Sequence, residues 1–238
     1  MTAHYDDTVA AHYAAYRPPL HLPILKRAII GSKRFSDGLD VGCGTGRSSV
    51  ALAEFCERVY AVDPSQSMIE AATPHAAVSY RSGSGEHIPL PDRSIDVVTF
   101  AGSLFYADLD HTVKELRRVC RPGSLVIPYD FEVQLSDTMQ ALGMVEPTAN
   151  STYDPARNFS GVSAFKELLT KHDRIEFGVV AADLAHILLA NRARHDAFVD
   201  RYKTTTPLLP LTSDLGAHQP ITISADVYYS VHECLGAP

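Results

Sequence analysis

The stretch that decides the fold is Leu39-Asp40-Val41-Gly42-Cys43-Gly44-Thr45-Gly46-Arg47. A short apolar strand leads into three closely spaced glycines, and residues 48–55 then repeat their apolar side chains with the period of a helix. Glycines let the backbone of such a turn approach a ligand, and the helix N terminus adds unpaired N–H groups. In open α/β sheets, ligands bind beyond the carboxyl end of a strand. The stretch predicts a strand, a turn and a helix, with the turn read either as a ligand site or as a tight turn alone.

Short apolar strands alternate with helical segments around this turn, over residues 38–131. Such alternation is typical of a doubly wound α/β fold, in which a mostly parallel sheet carries helices on both faces. Beyond Asp130 the pattern changes. A mixed segment is followed by a predicted strand over residues 174–180, a long helix over 182–202, a proline-rich loop and a last strand over 221–231.

Composition limits the classes of function. The chain has 238 residues and a formal net charge of −7, which repels phosphate backbones, so nucleic acid is not a predicted partner. Four widely spaced cysteines do not form a paired metal or disulfide pattern, which indicates reduced thiols. No apolar run has the length of a signal peptide or a membrane span. We therefore predict a cytoplasmic protein without membrane contact, either a monomer or a homodimer.

A second element supports a nucleoside-like ligand. Asp63 ends the next predicted strand, 17 residues after Gly46, where a carboxylate can accept hydrogen bonds from both hydroxyls of a ribose. Asp63 is also suited to cap the helix that follows. The glycine spacing separates two cofactor classes, because dinucleotide folds use G-x-G-x-x-G, whereas here Arg47 stands where that pattern requires its last glycine.

The run DVGCGTG resembles motif I of class I S-adenosylmethionine-dependent methyltransferases, and the resemblance extends over residues 10–131. Residues 61–68 resemble the family's ribose-binding stretch, residues 82–90 resemble the segment that closes over adenine, and residues 91–96 resemble the run that follows it in the family. Residues 13–19 are similar to the N-terminal lid of the subgroup that includes trans-aconitate methyltransferases. The resemblance, which is to the type 11 methyltransferase domain, implies S-adenosylmethionine as the cofactor. It also implies a seven-stranded sheet whose last, antiparallel strand lies between the fifth and sixth.

The resemblance implies one methyltransferase domain over residues 1–238. Within it we expect an N-terminal lid and helices (1–35), a cofactor-binding core (36–131), an insertion after strand 5 that covers the acceptor (132–172) and a C-terminal strand–helix–strand (173–238).

The implied cofactor contacts follow the motifs. Asp63 would hold the ribose, Met68 would pack against adenine, and Arg17 would reach the cofactor's carboxylate. Ser84 stands where relatives usually carry an aspartate, and Glu86 either faces the purine or points to solvent. The full set of predicted cofactor-binding residues is Tyr16, Arg17, Asp40, Gly42, Cys43, Gly44, Gly46, Asp63, Pro64, Ser65, Met68, Ser84, Gly85, Glu86, Ala101, Gly102 and Ser103.

The predicted reaction is methyl transfer to a small molecule by in-line displacement, without a metal. Phe105 and Tyr106 are placed in the wall of the acceptor pocket, with core packing as the alternative, and Tyr13 of the lid is also predicted to bind the acceptor. Arg157 would pair with an acidic group on the acceptor, and a carboxylic acid acceptor needs no base, so no catalytic residue is named. Two alternatives remain open, a nicotinamide-dependent oxidoreductase and a non-catalytic module that binds S-adenosylmethionine.

Overall fold

A seven-stranded sheet organises the computed structural model, which describes residues 7–31, 34–147, 152–216 and 221–235. The strands lie in the order β3-β2-β1-β4-β5-β7-β6, so the last strand lies between the fifth and the sixth, as predicted. Their bounds are β1 Phe35–Val41, β2 Cys56–Asp63, β3 Val78–Ser82, β4 Ile95–Ala101, β5 Cys120–Gln134, β6 Phe165–Val179 and β7 Ile221–Cys234. The predicted α/β fold class is confirmed.

Nine α-helices lie within the described residues: α1 Asp7–Ala15, α2 His21–Ala28, α3 Arg47–Ala53, α4 Gln66–Glu70, α5 Leu109–Val119, α6 Ser136–Ala141, α7 Ala181–Leu189, α8 Arg192–Tyr202 and α9 Leu208–Gly216. A 3₁₀ turn covers Leu104–Tyr106. No helix in the described ranges has the length and apolar character needed to cross a membrane.

The chain divides into two compact units. The smaller unit comprises Met1–Pro18, Val133–Thr152 and Arg174–Asp226, and the larger unit comprises Pro19–Glu132, Tyr153–Asp173 and Val227–Pro238. The expectation that all 238 residues act as one domain stays a prediction.

The centre of the larger unit is β1, which pairs in parallel with β2 on one side and with β4 on the other. Its burial is almost continuous, as expected of a strand covered on both faces. Leu39 is opposite Tyr60 and Val98, and Asp40 is opposite Ala61 and Thr99. The register places the ends of β1, β2 and β4 side by side, and the turns that follow these strands carry the predicted site.

Several predicted boundaries were wrong for local reasons. The helix predicted over residues 182–202 is two helices, because Asn191 is extended and its side chain accepts the Arg194 N–H to start α8. The proline-rich loop contains α9, since Pro210 lies in the first turn, where a helix tolerates a missing N–H. The strand predicted from residue 174 begins at Phe165, which shortens the expected insertion. Residues 148–151 of that insertion lie outside the described residues.

Within the larger unit, Arg118 of α5 holds the segment that precedes β4 against that helix. The guanidinium donates to both carboxylate oxygens of Glu115 at 2.7 Å and to the carbonyls of Ile88 and Leu90 at 2.8 and 2.7 Å. Glu115 in turn accepts the Ile88 N–H at 2.9 Å. The hydrogen bond from Arg118 is the largest cause that lowers the pKa of Glu115 below its ordinary 4.5.

Glu115→Gln should lower the free energy of unfolding by about 1–3 kcal/mol at neutral pH, because Arg118 loses one of its two carboxylate partners and keeps Asp92. A carboxyl whose folded-state pKa is lowered stabilises the fold above its ordinary pKa of 4.5, and that stability is lost as the pH falls through the folded-state value. The difference in the free energy of unfolding between the natural protein and the Glu115→Gln variant should therefore become smaller in acid. Urea denaturation over a pH series measures it, with the exposed Glu54→Gln as the control. A difference that stays constant with pH would contradict the assignment.

Candidate functional site

The turn between β1 and α3 contains three glycines in backbone conformations that favour glycine. Gly42, Gly44 and Gly46 have φ values of +71°, +52° and +84°, in the left-handed region that L-residues rarely adopt. The N–H groups of Gly42 and Cys43 both donate to the Val62 carbonyl, at 2.8 and 3.0 Å, which fixes the turn against β2. Gly46 occupies the N-cap position of α3. The predicted strand–turn–helix is therefore present.

The three glycines differ in what surrounds them. A Cβ at Gly42 would overlap the side chain of Ser103, and a Cβ at Gly46 would overlap the ring of Tyr80. A Cβ at Gly44 would meet nothing within 4 Å. Gly42 and Gly46 are thus small because protein packs against them, whereas Gly44 faces open space that a ligand can occupy.

Asp40, which the sequence placed among the cofactor contacts, is buried in the structure. It is fully buried, and its carboxylate accepts hydrogen bonds from Ser48 at 2.6 Å, Ser49 at 2.7 Å and Thr99 at 2.8 Å. Burial raises the pKa of Asp40, and the three hydroxyls act in the opposite direction. Because no part of Asp40 reaches the surface, it positions β1, β4 and α3 instead of contacting the cofactor. Cys43 is also almost fully buried, and burial raises the pKa of its thiol.

Asp63 lies at the end of β2, directly beside the glycine turn. One carboxylate oxygen accepts the Gly44 N–H at 2.8 Å, and the other accepts the Ser65 N–H at 2.9 Å. Each carboxylate oxygen can accept more than one hydrogen bond, so these contacts orient Asp63 without exhausting it. Ser65, and not Asp63, caps α4. Met68 in that helix is 45% exposed, which leaves its side chain accessible.

The predicted adenine segment forms a tight bridge after β3. Ser84 and His87 exchange backbone hydrogen bonds at 3.0 and 3.2 Å, with Gly85 and Glu86 at the tip. Glu86 accepts the Asp108 N–H at 2.8 Å. Burial disfavours the charge of Glu86, but hydrogen bonds from Ser84 and Asp108 outweigh it and lower the pKa of this carboxyl. Glu86 therefore anchors the bridge to the N-cap of α5, a role that neither sequence-based alternative anticipated.

The turn after β4 lies against the glycine turn. The Ser103 hydroxyl donates to the Val41 carbonyl, and Gly102, at φ +72°, donates its N–H to Tyr129 at 2.8 Å. Ala101, Gly102 and Ser103 are each partly exposed. The structure thus brings together three predicted segments, namely the glycine turn, the end of β2 and the turn after β4.

An aromatic cluster of Phe105, Tyr106 and Tyr153 lies beside this turn. The Phe105 and Tyr153 ring centroids are 4.8 Å apart, and the Tyr106 and Tyr153 centroids are 6.0 Å apart. Tyr106 is 77% exposed, so core packing does not explain it. The guanidinium carbon of Arg157 lies 5.9 Å from the Phe105 ring centroid.

Asp130 is the residue that the sequence-based site lacks. It follows the point where β5 pairs with the end of β4, and its carboxylate accepts from the Tyr153 hydroxyl and from the Phe131 N–H. The Tyr153 hydroxyl also lies 3.2 Å from the Gly102 carbonyl oxygen. An acidic residue after a predicted strand, the signal that identifies Asp63, could have found Asp130.

The predicted lid residues lie in the smaller unit. The Arg17 guanidinium stacks on the Tyr13 ring, 4.1 Å from its centroid, and Tyr16 packs against the apolar cluster of that unit. That they cover the cofactor stays a prediction. In the described ranges, no group of three or more histidine, cysteine, aspartate or glutamate residues is arranged to hold a metal ion.

Comparison with known proteins agrees with the geometry. A family model described as a methyltransferase domain matches residues 39–127. A Dictyostelium discoideum protein designated a methyltransferase is 37% identical over 130 residues, which cover 52% of this chain and 49% of that protein. The malonyl-[acyl-carrier protein] O-methyltransferase of Yersinia pestis is 37% identical over 91 residues, 37% of this chain and 34% of that protein. The chain thus matches half or less of the length of these relatives.

A solved structure extends the likeness over the whole fold. A protein from Anaeromyxobacter dehalogenans, designated a type II methyltransferase, superposes with a TM-score of 0.68 and 26% sequence identity. The superposition covers 93% of this chain and 100% of that one.

Proposed function

We propose that this chain, which matches a methyltransferase domain model over residues 39–127, is a class I S-adenosylmethionine-dependent methyltransferase that transfers the cofactor's methyl group to a small-molecule acceptor. The observation that carries the proposal is the open space at Gly44, bordered by Asp63 and lying next to the turn after β4. A backbone cradle that a Cβ would fill, with an oriented carboxylate at its edge, fits a nucleoside cofactor. The glycine spacing and the family match both argue against a nicotinamide cofactor.

The chain's own residues can be assigned to parts of the cofactor. In this proposal Asp63 binds the ribose hydroxyls and the exposed face of Met68 packs against adenine. The Ser84 hydroxyl donates a hydrogen bond to the Glu86 carboxylate. The Ser84 oxygen therefore remains able to accept a hydrogen bond from the adenine amino group. Ala101 and Gly102 offer a small surface for the methionine portion.

Methyl transfer places modest chemical demands on the protein. The bound cofactor supplies an activated methyl group on a sulfonium, and the protein contributes proximity and orientation. The aromatic cluster would wall the acceptor and exclude water next to the turn after β4. Arg157, half-buried beside Phe105, supports an acceptor that carries a carboxylate.

Asp63→Asn should weaken binding of S-adenosylmethionine by about 10- to 100-fold, because the amide offers one acceptor oxygen where the carboxylate offers two. Calorimetry measures the affinity, and thermal unfolding without cofactor separates it from damage to the turn. The exposed Asp110→Asn is the matched control and should bind normally.

Catalysis is tested by transfer of tritium from methyl-labelled S-adenosylmethionine into a metabolite extract. Incorporation into a small molecule is the expected result. Tight NAD binding in competition with S-adenosylmethionine would overturn the cofactor assignment. Cofactor binding without any transfer would instead favour the non-catalytic module.

A further inference from the structure

A cavity of about 320 Å³ lies within the larger unit, beside the aromatic cluster. Its lining combines parts of the chain that are remote in sequence: Pro128 of β5, the segment 155–158, residues 170–172 of β6 and residues 228–230 of β7. Arg157 belongs both to this lining and to the surroundings of Phe105. The side cavity, as we name it, therefore adjoins the wall proposed for the acceptor.

The charged groups that line the side cavity are cationic. Arg157 and Lys171 line it together with His172, and no aspartate or glutamate is among its described lining residues. This contrasts with a chain whose formal net charge is −7. Three acids contact lining residues from outside the lining: Asp173 and Glu132 accept hydrogen bonds from the hydroxyls of Tyr229 at 2.7 Å and Tyr228 at 3.2 Å, and Asp154 accepts the Ala156 N–H at 3.0 Å. The charged side chains of the lining itself favour an anion.

The remaining wall is mixed, with more apolar than polar surface. Pro128, Pro155 and Ala156 line it together with the polar residues Asn158, Thr170 and Ser230, and the rings of His172 and Tyr228 stack at 4.4 Å with an interplanar angle of 13°. Flat apolar walls favour a planar, weakly polar body, whereas a highly hydrated ion would lose solvation there without compensation. The volume is at the lower end of the range for small-molecule sites.

From the cationic groups and the flat walls together, we propose that the side cavity binds a small aromatic carboxylate. The fork of the Arg157 guanidinium suits bidentate pairing with the carboxylate, and Lys171 adds a second, more exposed positive charge. The ring would lie between the proline faces and Tyr228. Identification of this ligand with the methyl acceptor rests on the proposed function, whereas binding itself does not.

The test uses benzoate as the probe and measures its binding to the full chain by calorimetry or ligand-observed NMR. Benzamide keeps the ring without the charge, and acetate keeps the charge without the ring; each should bind at least about 5-fold more weakly. Arg157→Gln should weaken benzoate binding by about 10-fold, and Lys171→Gln, being exposed, by about 3-fold. Lys166→Gln lies on the same strand outside the cavity and should have no effect.

The proposal is overturned if benzoate does not bind, if benzamide binds equally well, or if Arg157→Gln leaves the affinity unchanged. Benzoate should still bind in saturating S-adenosylhomocysteine; displacement would show that it occupies the cofactor site instead. All of these measurements are made without methyl transfer, so a protein that fails to transfer methyl groups could still pass them. Conversely, an active methyltransferase that does not bind benzoate would refute only this inference.

Discussion

Gly44→Val abolishes binding of S-adenosylmethionine and leaves the protein folded, if the open space at this position belongs to the cofactor. No atom lies within 4 Å of the Cβ that the substitution adds, so this atom meets no protein atom and enters the space proposed for the ligand. The backbone conformation, at φ +52°, costs a side-chain-bearing residue about 1–2 kcal/mol. That cost is small compared with the free energy of unfolding of a typical domain, which is about 5–15 kcal/mol.

Calorimetry with the cofactor and urea denaturation without it measure the two effects separately. Gly161→Val is the matched control, since Gly161 also has a positive φ, of +81°, and nothing within 4 Å of its Cβ. It should lose similar stability and keep its affinity for S-adenosylmethionine. Normal binding by the Gly44 variant would place the cofactor elsewhere.

Asp40→Ala should give the largest loss of stability of the variants considered, about 3 kcal/mol or more. The substitution removes a buried carboxylate that accepts hydrogen bonds from Ser48, Ser49 and Thr99, and it leaves three hydroxyls without this partner. It also opens a cavity between β1, β4 and α3. Thermal or urea unfolding measures the effect.

Asp40→Asn is the matched variant for this position. It keeps the volume and one acceptor oxygen, and burial already raises the pKa of Asp40 and so disfavours the charge. The loss of stability should therefore be clearly smaller than for alanine. If the alanine variant were as stable as the natural protein, the three short hydrogen bonds would not hold the strands and the helix together.

The sequence predicts the local geometry of the candidate site well where one short pattern contains it. The glycine turn and Asp63 need only a strand, a turn and a residue type, and the structure places them side by side. Asp40 lies in the same stretch, yet its partner Thr99 belongs to a strand 59 residues away, so its burial depends on sheet register. Asp130 and Tyr153 meet only because β5 pairs with β4 and a segment without periodicity returns to them.

The four cysteines have a further consequence for how unfolding can be followed. Cys43, Cys56, Cys120 and Cys234 are all buried thiols, and burial raises the pKa of Cys56 to about 12. A thiol reacts with alkylating reagents as the thiolate and only when it is accessible. Cys43 and Cys56 are therefore shielded twice in the native state, by burial and by a raised pKa, and opening of their surroundings releases both restraints. Cys43 lies in the glycine turn and Cys56 at the start of β2, so the rates at which these two are alkylated would record local opening at and near the cofactor turn without any added label.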